Sequence, residues 1–107
     1  MIEKTILSNL VLNNEYCRAV LPFIKEEYFV DSNNKIIFGI VKNFINKYNN
    51  QPNKVSLALE AEKLSINEDQ HKAVVAAIDG MQDDPKIDRQ WLIEIGRAHV
   101  WTPVTSL

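Results

Sequence analysis

The sequence predicts an all-α fold, a small single-domain bundle of five or six short helices. Apolar residues recur every three or four positions along most of the chain, which is the spacing of one helix face. Asp, Asn and Ser residues, which favour helix N-termini, stand before several of these runs. No pair of segments shows the alternation of neighbouring strands. With 107 residues the chain can enclose one small core.

The first 29 residues predict two helices and a turn. The apolar face of the first helix ends before Asn13 and Asn14. A second, shorter face contains Pro22, and proline inside such a pattern predicts a kink or break just before it. Residues 25–29 (KEEYF) then predict a single turn. The two faces consist of Ile2, Ile6, Leu7, Leu10 and Val11, and of Tyr16, Cys17, Val20, Leu21 and Ile24.

The strongest helix follows three capping candidates, Asp31, Ser32 and Asn33, and ends before Pro52. A further helix is predicted over residues 55–64. Asn67 opens another, for which Gly80 suits the C-terminal cap. Asp88 caps a last helix that begins RQWLIE. The apolar positions of the strongest helix are Ile36, Ile37, Phe38, Ile40, Val41, Phe44, Ile45 and Tyr48.

Composition excludes several classes of protein. The 12 basic and 14 acidic side chains give a net charge of −2, whereas domains that hold nucleic acid through phosphate contacts are usually basic. Tight autonomous DNA binding is therefore disfavoured. Cys17 is the only cysteine, which fits a reducing compartment, and we expect the cytoplasm of a bacterium or an infected host cell. No apolar run is long enough for a membrane span, so no membrane partner is expected.

The sequence offers no catalytic, cofactor-binding or metal-binding site. None of the three glycines begins a GxxxxGK[ST] or GxGxxG loop. His71 stands alone on a polar helix face and lacks the partners of a zinc site. Cys17 fits a small buried hydrophobe better than a nucleophile. The acidic pairs at residues 26–27 and 83–84 stand beside turns, where solvated carboxylates are common.

Aromatic and apolar residues supply the candidate interaction surface. Trp91, Leu92 and Ile93 follow one another at the start of the last helix. A core position is favoured for Trp91, but an exposed cluster of this kind is typical of a partner-binding or subunit surface. Tyr28 is a second candidate, placed at the rim of the domain. Tyr28, Trp91, Leu92 and Ile93 are thus the predicted interface residues.

These segments, in this order, resemble the N-terminal domain of DnaB-type replicative helicases, most closely the version in tailed bacteriophages. The resemblance covers residues 1–94 and rests on patterned apolar positions and a few aromatics. The opening helix is similar to the family pattern E-x-x-I-L-x-x-L-x-x-D/N, and the last one to D-x-x-W-L. The matching stretches are IEKTILSNLVLNNEY, VLPFIKEEYF, KIIFGIVKNFINKYNNQP and DRQWLIE.

The resemblance implies a helical scaffold domain rather than an enzyme. In that family the domain forms a collar on a hexameric ring, commonly a trimer of dimers, and docks the primase and in some members a helicase loader. A helical hairpin then pairs neighbouring subunits, and a separate C-terminal domain carries the ATPase motor. The implied partners are therefore other helicase subunits, primase and loader, while ATP and Mg²⁺ belong to the motor domain. Direct DNA binding by this domain is expected to be weak or absent.

The last residues differ from those before them. The stretch IGRAHVWTPVTSL has no helical period, and Arg97 is its only Lys, Arg, Asp or Glu. It resembles the conceptual translation of a common sequencing adapter, with a stop codon read as Trp101. We therefore expect residues 1–94 to be a helicase N-terminal domain truncated at its C-terminal end. Residues 95–107 are expected to be a non-native tail without function.

Two other functions are compatible with the sequence. One is a stand-alone helical adaptor that binds a host helicase or primase. Whether coding sequence continues past Glu94 into a P-loop domain separates that adaptor from a helicase domain. The other is a small helical DNA-binding domain, which the acidic balance and the absence of a helix with clustered Lys and Arg disfavour.

Overall fold

The computed structural model describes residues 2–84 and 86–98. Within these ranges the chain forms six α-helices and two 3-10 turns, and no strand is present. The all-α prediction is confirmed. The helices are α1 (Ile2–Leu12), α2 (Asn14–Val20), α3 (Ser32–Tyr48), α4 (Lys54–Glu62), α5 (Glu68–Asp79) and α6 (Arg89–Arg97). The 3-10 turns are Leu21–Phe23 and Glu26–Tyr28.

Polar caps set the predicted helix starts. The Asp31 carboxylate accepts hydrogen bonds from the backbone N–H groups of Asn33 and Asn34, at 2.8 and 3.1 Å, and so begins α3. The Asn67 side chain accepts from the N–H of Gln70 at 2.7 Å at the start of α5. These bonds satisfy donors that a helix N-terminus otherwise leaves free. The predicted cap at Asn67 is therefore confirmed, and Asp31 is the cap among the three candidates for α3.

Helix α4 begins at Lys54, one residue before its predicted start, and its N-terminus has a reciprocal cap. The Asn53 side chain accepts from the N–H of Ser56, and the Ser56 hydroxyl accepts from the N–H of Asn53, both at 2.8 Å. This capping box was not predicted from the sequence. Its signal was present, because Asn followed by Ser three residues later comes directly after Pro52.

The helix ends follow backbone chemistry. Helix α2 ends at Val20, and Pro22 lies in the 3-10 turn that follows, as predicted. Asn49 ends α3 in the left-handed region, with φ 55°. Gly80 caps α5 as predicted, but its φ of −81° is one that any residue adopts. The residue in the left-handed conformation is therefore an asparagine, although glycine is the residue type that usually ends a helix in this way.

Helix α3 is the centre of the bundle. It packs against α1, α4, α5 and the second 3-10 turn, while α2 packs against α1 and α6. The Phe29 and Phe38 rings meet with centroids 5.0 Å apart. The predicted apolar faces of α1, α2 and α3 supply most of the core. The buried apolar residues are Ile6, Leu7, Leu10, Val11, Tyr16, Cys17, Val20, Ile24, Phe29, Ile37, Phe38, Ile40, Val41, Leu57, Ala61, Val74, Ile78, Met81 and Leu92.

A buried carboxylate joins α1 to the start of α3. Glu3 is 8% exposed and accepts three hydrogen bonds. The donors are the Val30 N–H at 2.9 Å, the Asp31 N–H at 3.3 Å and the Asn34 side-chain amide at 3.0 Å. A negative charge at a helix N-terminus is also favoured by the helix dipole. Glu3, the first residue of the family pattern, therefore has a structural role here.

Helix α6 is held against α2. The Tyr16 hydroxyl donates to the Leu92 carbonyl at 3.2 Å in a buried position. Gly96 lies so close to α2 that a Cβ atom there would meet the Tyr16 hydroxyl oxygen at 2.5 Å. Because α6 runs to Arg97, it extends past the predicted domain boundary at Glu94. That boundary stays a prediction, and residues 99–107 of the predicted tail lie outside the described ranges.

Candidate interaction surface

Leu92 is a core residue. Its side chain is fully buried between α6 and the bundle, and its carbonyl accepts the Tyr16 hydrogen bond. The prediction that Leu92 belongs to an exposed cluster is wrong. The Asp88 cap fixes the start of α6, and only one side of this helix can face α2. That side contains Leu92 and Gly96.

Trp91 lies on the other side of α6. Its side chain is 49% exposed, so the core position favoured by the sequence is wrong. The Asp88 carboxylate accepts from the Trp91 N–H at 2.9 Å and fixes the backbone there. Ile93 is half-buried and packs against the core edge. Trp91 is therefore the exposed aromatic residue of α6, and its role at an interface stays a prediction.

Tyr28 lies elsewhere in the bundle. It is half-buried at the end of the second 3-10 turn, and that turn packs against α3. Helix α6 instead packs against α2. These packing contacts do not bring Tyr28 and Trp91 together. An interface role for Tyr28 stays a prediction, separate from that of α6.

A second exposed apolar surface lies on α4 and was not predicted from the sequence. Val55 and Leu59 are one helical turn apart, and they are 68% and 55% exposed. Leu57 and Ala61, on another side of the helix, are fully buried. Helix α4 therefore carries apolar residues on two sides. The sequence signal for this surface was the stretch VSLALEA, which contains more apolar residues than a single buried helix face needs.

An open groove of about 500 Å³ lies between α4 and α5. Its apolar lining consists of Val55, Ala58, Val75, Ala76 and Ile78. The polar residues at this groove are Lys54, His71, Lys72 and Asp79. The Lys54 ammonium donates to the Asp79 carbonyl at 2.9 Å and joins the start of α4 to the end of α5.

The buried titratable groups in the core are suited to packing and not to catalysis. Burial raises the pKa of the Tyr16 phenol and that of the Cys17 thiol. Both groups are therefore held in their neutral protonated forms, whereas a nucleophilic cysteine needs a lowered pKa. Among the described residues, no group of three His, Cys, Asp or Glu side chains is placed to hold a metal ion.

No helix within residues 2–84 and 86–98 has both the length and the apolar character to cross a membrane. The longest helix, α3, has 17 residues and carries lysines and asparagines along its exposed side. The exposed large apolar residues are spread over helices and connecting segments; they are Leu12, Phe23, Val30, Tyr48, Val55, Leu59, Leu64 and Trp91.

Comparison with known proteins shows the family to which this domain belongs. Residues 1–89 match the family model of the DnaB-like helicase N terminal domain. The chain is also similar to the DnaB-like replicative helicase of Enterobacteria phage T4, with 30% identity over 100 residues, or 94% of this chain. It spans 21% of the length of that relative. The chain therefore belongs to the family of DnaB-like helicase N-terminal domains.

Proposed function

We propose that this chain is the N-terminal scaffold domain of a phage or bacterial replicative DNA helicase. Its work is to help assemble the helicase ring and to dock a primase or loader. The observation that carries the proposal is the family match over residues 1–89. The exposed Trp91 and the α4–α5 groove are two surfaces that could make such contacts.

The proposal assigns no catalysis to this chain. A helicase moves along DNA by hydrolysing ATP, and none of the three glycines begins a phosphate-binding loop. ATP and Mg²⁺ would bind in the C-terminal domain of the full-length helicase. This domain would contribute the contacts that hold the ring and recruit its partners.

A chimera tests the assembly role. Residues 1–89 would replace the matching segment of the phage T4 relative, and the rest of that helicase would be kept. We expect the chimera to form ring-sized oligomers by sedimentation velocity and to unwind a forked duplex. The unmodified relative and a version that lacks this segment serve as controls. A chimera that assembles and unwinds no better than the deleted version would contradict the proposal.

The two alternatives have their own readouts. A salt-sensitive mobility shift of single-stranded DNA by the chain alone would favour a DNA-binding domain. A gene that stops soon after codon 94 would favour a stand-alone adaptor. Coding sequence that continues through a helical hairpin into a GxxxxGK[ST] loop would support the helicase scaffold.

A further inference from the structure

The α4–α5 groove is open and mainly apolar. Ala58 and Ala76 are small and create the concavity between the two helices. Val55 stands beside them with 68% of its surface exposed, and Leu59 extends the apolar stripe by one turn along α4. A groove with such a stripe can receive the apolar side chains of an amphipathic helix, spaced three or four residues apart.

The lining of this groove is more positive than the chain as a whole. Its charged lining residues are Lys54, Lys72 and Asp79, two positive against one negative, whereas the whole chain has a net charge of −2. In the described part of the chain the only ion pair joins Lys63 to Glu60. Lys54 donates to the main-chain carbonyl of Asp79, and neither Lys54 nor Lys72 forms an ion pair with a described carboxylate. Charge complementarity therefore favours an acidic occupant.

A second copy of this chain fits the groove less well. A two-fold contact places the same surface of both copies face to face, and here it would bring two sets of lysines together. Like charges placed opposite each other disfavour association.

We propose that the α4–α5 groove docks an acidic amphipathic helix of a partner protein. The inference rests on the docking role proposed above and names the surface and the kind of partner. The partner helix would place apolar side chains against Val55 and Ala58 and acidic side chains near Lys54 and Lys72. The apolar contact supplies affinity, and the charges exclude basic helices.

A designed peptide serves as the probe. It is a fluorescent helix of about 16 residues, with leucines every three or four positions and glutamates between them. Fluorescence anisotropy with the full 107-residue chain should give a Kd of about 10–100 μM. A peptide with lysine in place of every glutamate should bind at least about tenfold more weakly. Added salt should reduce the difference between the Kd values of the two peptides.

Matched variants locate the contact. Val55→Ser should raise the Kd about fivefold because it removes exposed apolar surface from the groove. The control Val30→Ser changes the same residue type at 72% exposure, away from the groove residues. Lys72→Glu should weaken the acidic peptide severalfold, whereas Lys42→Glu, on the exposed side of α3, should change its Kd by less than about twofold. Circular dichroism confirms that each variant is folded.

Three results would overturn the groove proposal. They are no binding of the acidic peptide at about 1 mM, equal binding of the acidic and basic peptides, or equal effects of Val55→Ser and Val30→Ser. A Val55→Ser variant that loses self-association but keeps its peptide affinity would assign the groove to a second copy instead. If the chimera assembles and the peptide does not bind, the groove proposal alone fails. If the peptide binds and the chimera does not assemble, the scaffold role fails.

Discussion

Glu3 is the residue that connects α1 to the start of α3. Its carboxylate accepts from two backbone N–H groups and from the Asn34 amide, in a position that is 8% exposed. Glu3→Ala leaves these donors without their acceptor, and buried unsatisfied donors are costly. We expect the free energy of unfolding to fall by about 2–4 kcal/mol, measured by urea denaturation.

The control for Glu3 is an exposed glutamate in a helix. Glu62→Ala, at the end of α4, should change the free energy of unfolding by less than about 0.5 kcal/mol. Glu3→Gln keeps one acceptor oxygen and should lose less stability than Glu3→Ala. Equal stability of Glu3→Ala and Glu62→Ala would show that the carboxylate does not hold the two helices together.

At the scale of the secondary-structure element, α3 and α5 end in different backbone conformations. Asn49 ends α3 with φ 55°, where a side chain causes strain, so Asn49→Gly should gain up to about 0.5 kcal/mol. Asn49→Ala should lower the free energy of unfolding by about 1 kcal/mol.

Gly80 ends α5 with φ −81°, and a Cβ there would lie 3.4 Å from the Ala76 carbonyl oxygen. Gly80→Ala should therefore gain about 0.4–1 kcal/mol.

Thermal unfolding of the three variants checks these signs. A loss of stability in Gly80→Ala comparable to that in Asn49→Ala would mean that α5 needs a glycine at its end after all. A gain in Asn49→Ala would contradict the left-handed conformation of Asn49.

Features determined by neighbouring residues could be predicted from the sequence. Caps at Asp31, Asn67 and Asp88 and the break at Pro22 depend on contacts within a few residues, and the structure confirms them. Helix α4 was predicted to end at residue 64 but ends at Glu62. No strong stop signal stands at that end, so propensity alone could not place it.

Features determined by distant residues could not be predicted. The Glu3 contacts join residues 27 to 31 positions apart, and no local pattern indicates a partner at that distance. In α6 the run Trp91, Leu92, Ile93 is apolar throughout, so its periodicity does not reveal which side chain is buried. That choice depends on how α6 meets α2, which is a property of the assembled bundle.

At the scale of the whole molecule, the domain measures 36 × 31 × 24 Å and exposes its aromatic residues at few places. Trp91 is one of them, and tryptophan is enriched at the centres of protein interfaces. A single exposed aromatic on a nine-residue helix supports only a small contact. We therefore expect the chain to self-associate weakly through α6, with a Kd of about 0.1–1 mM by sedimentation equilibrium.

Replacing Trp91 tests whether α6 makes that contact. Trp91→Ser should raise the self-association Kd at least about fivefold, because the variant loses the largest apolar side chain on that side of α6. Tyr48→Ser is the matched control, since Tyr48 is exposed to 48% and Trp91 to 49%. If both variants weaken self-association equally, the contact is non-specific, because each has only lost an aromatic. If Trp91→Ser alone dissociates, α6 is the surface through which two copies meet.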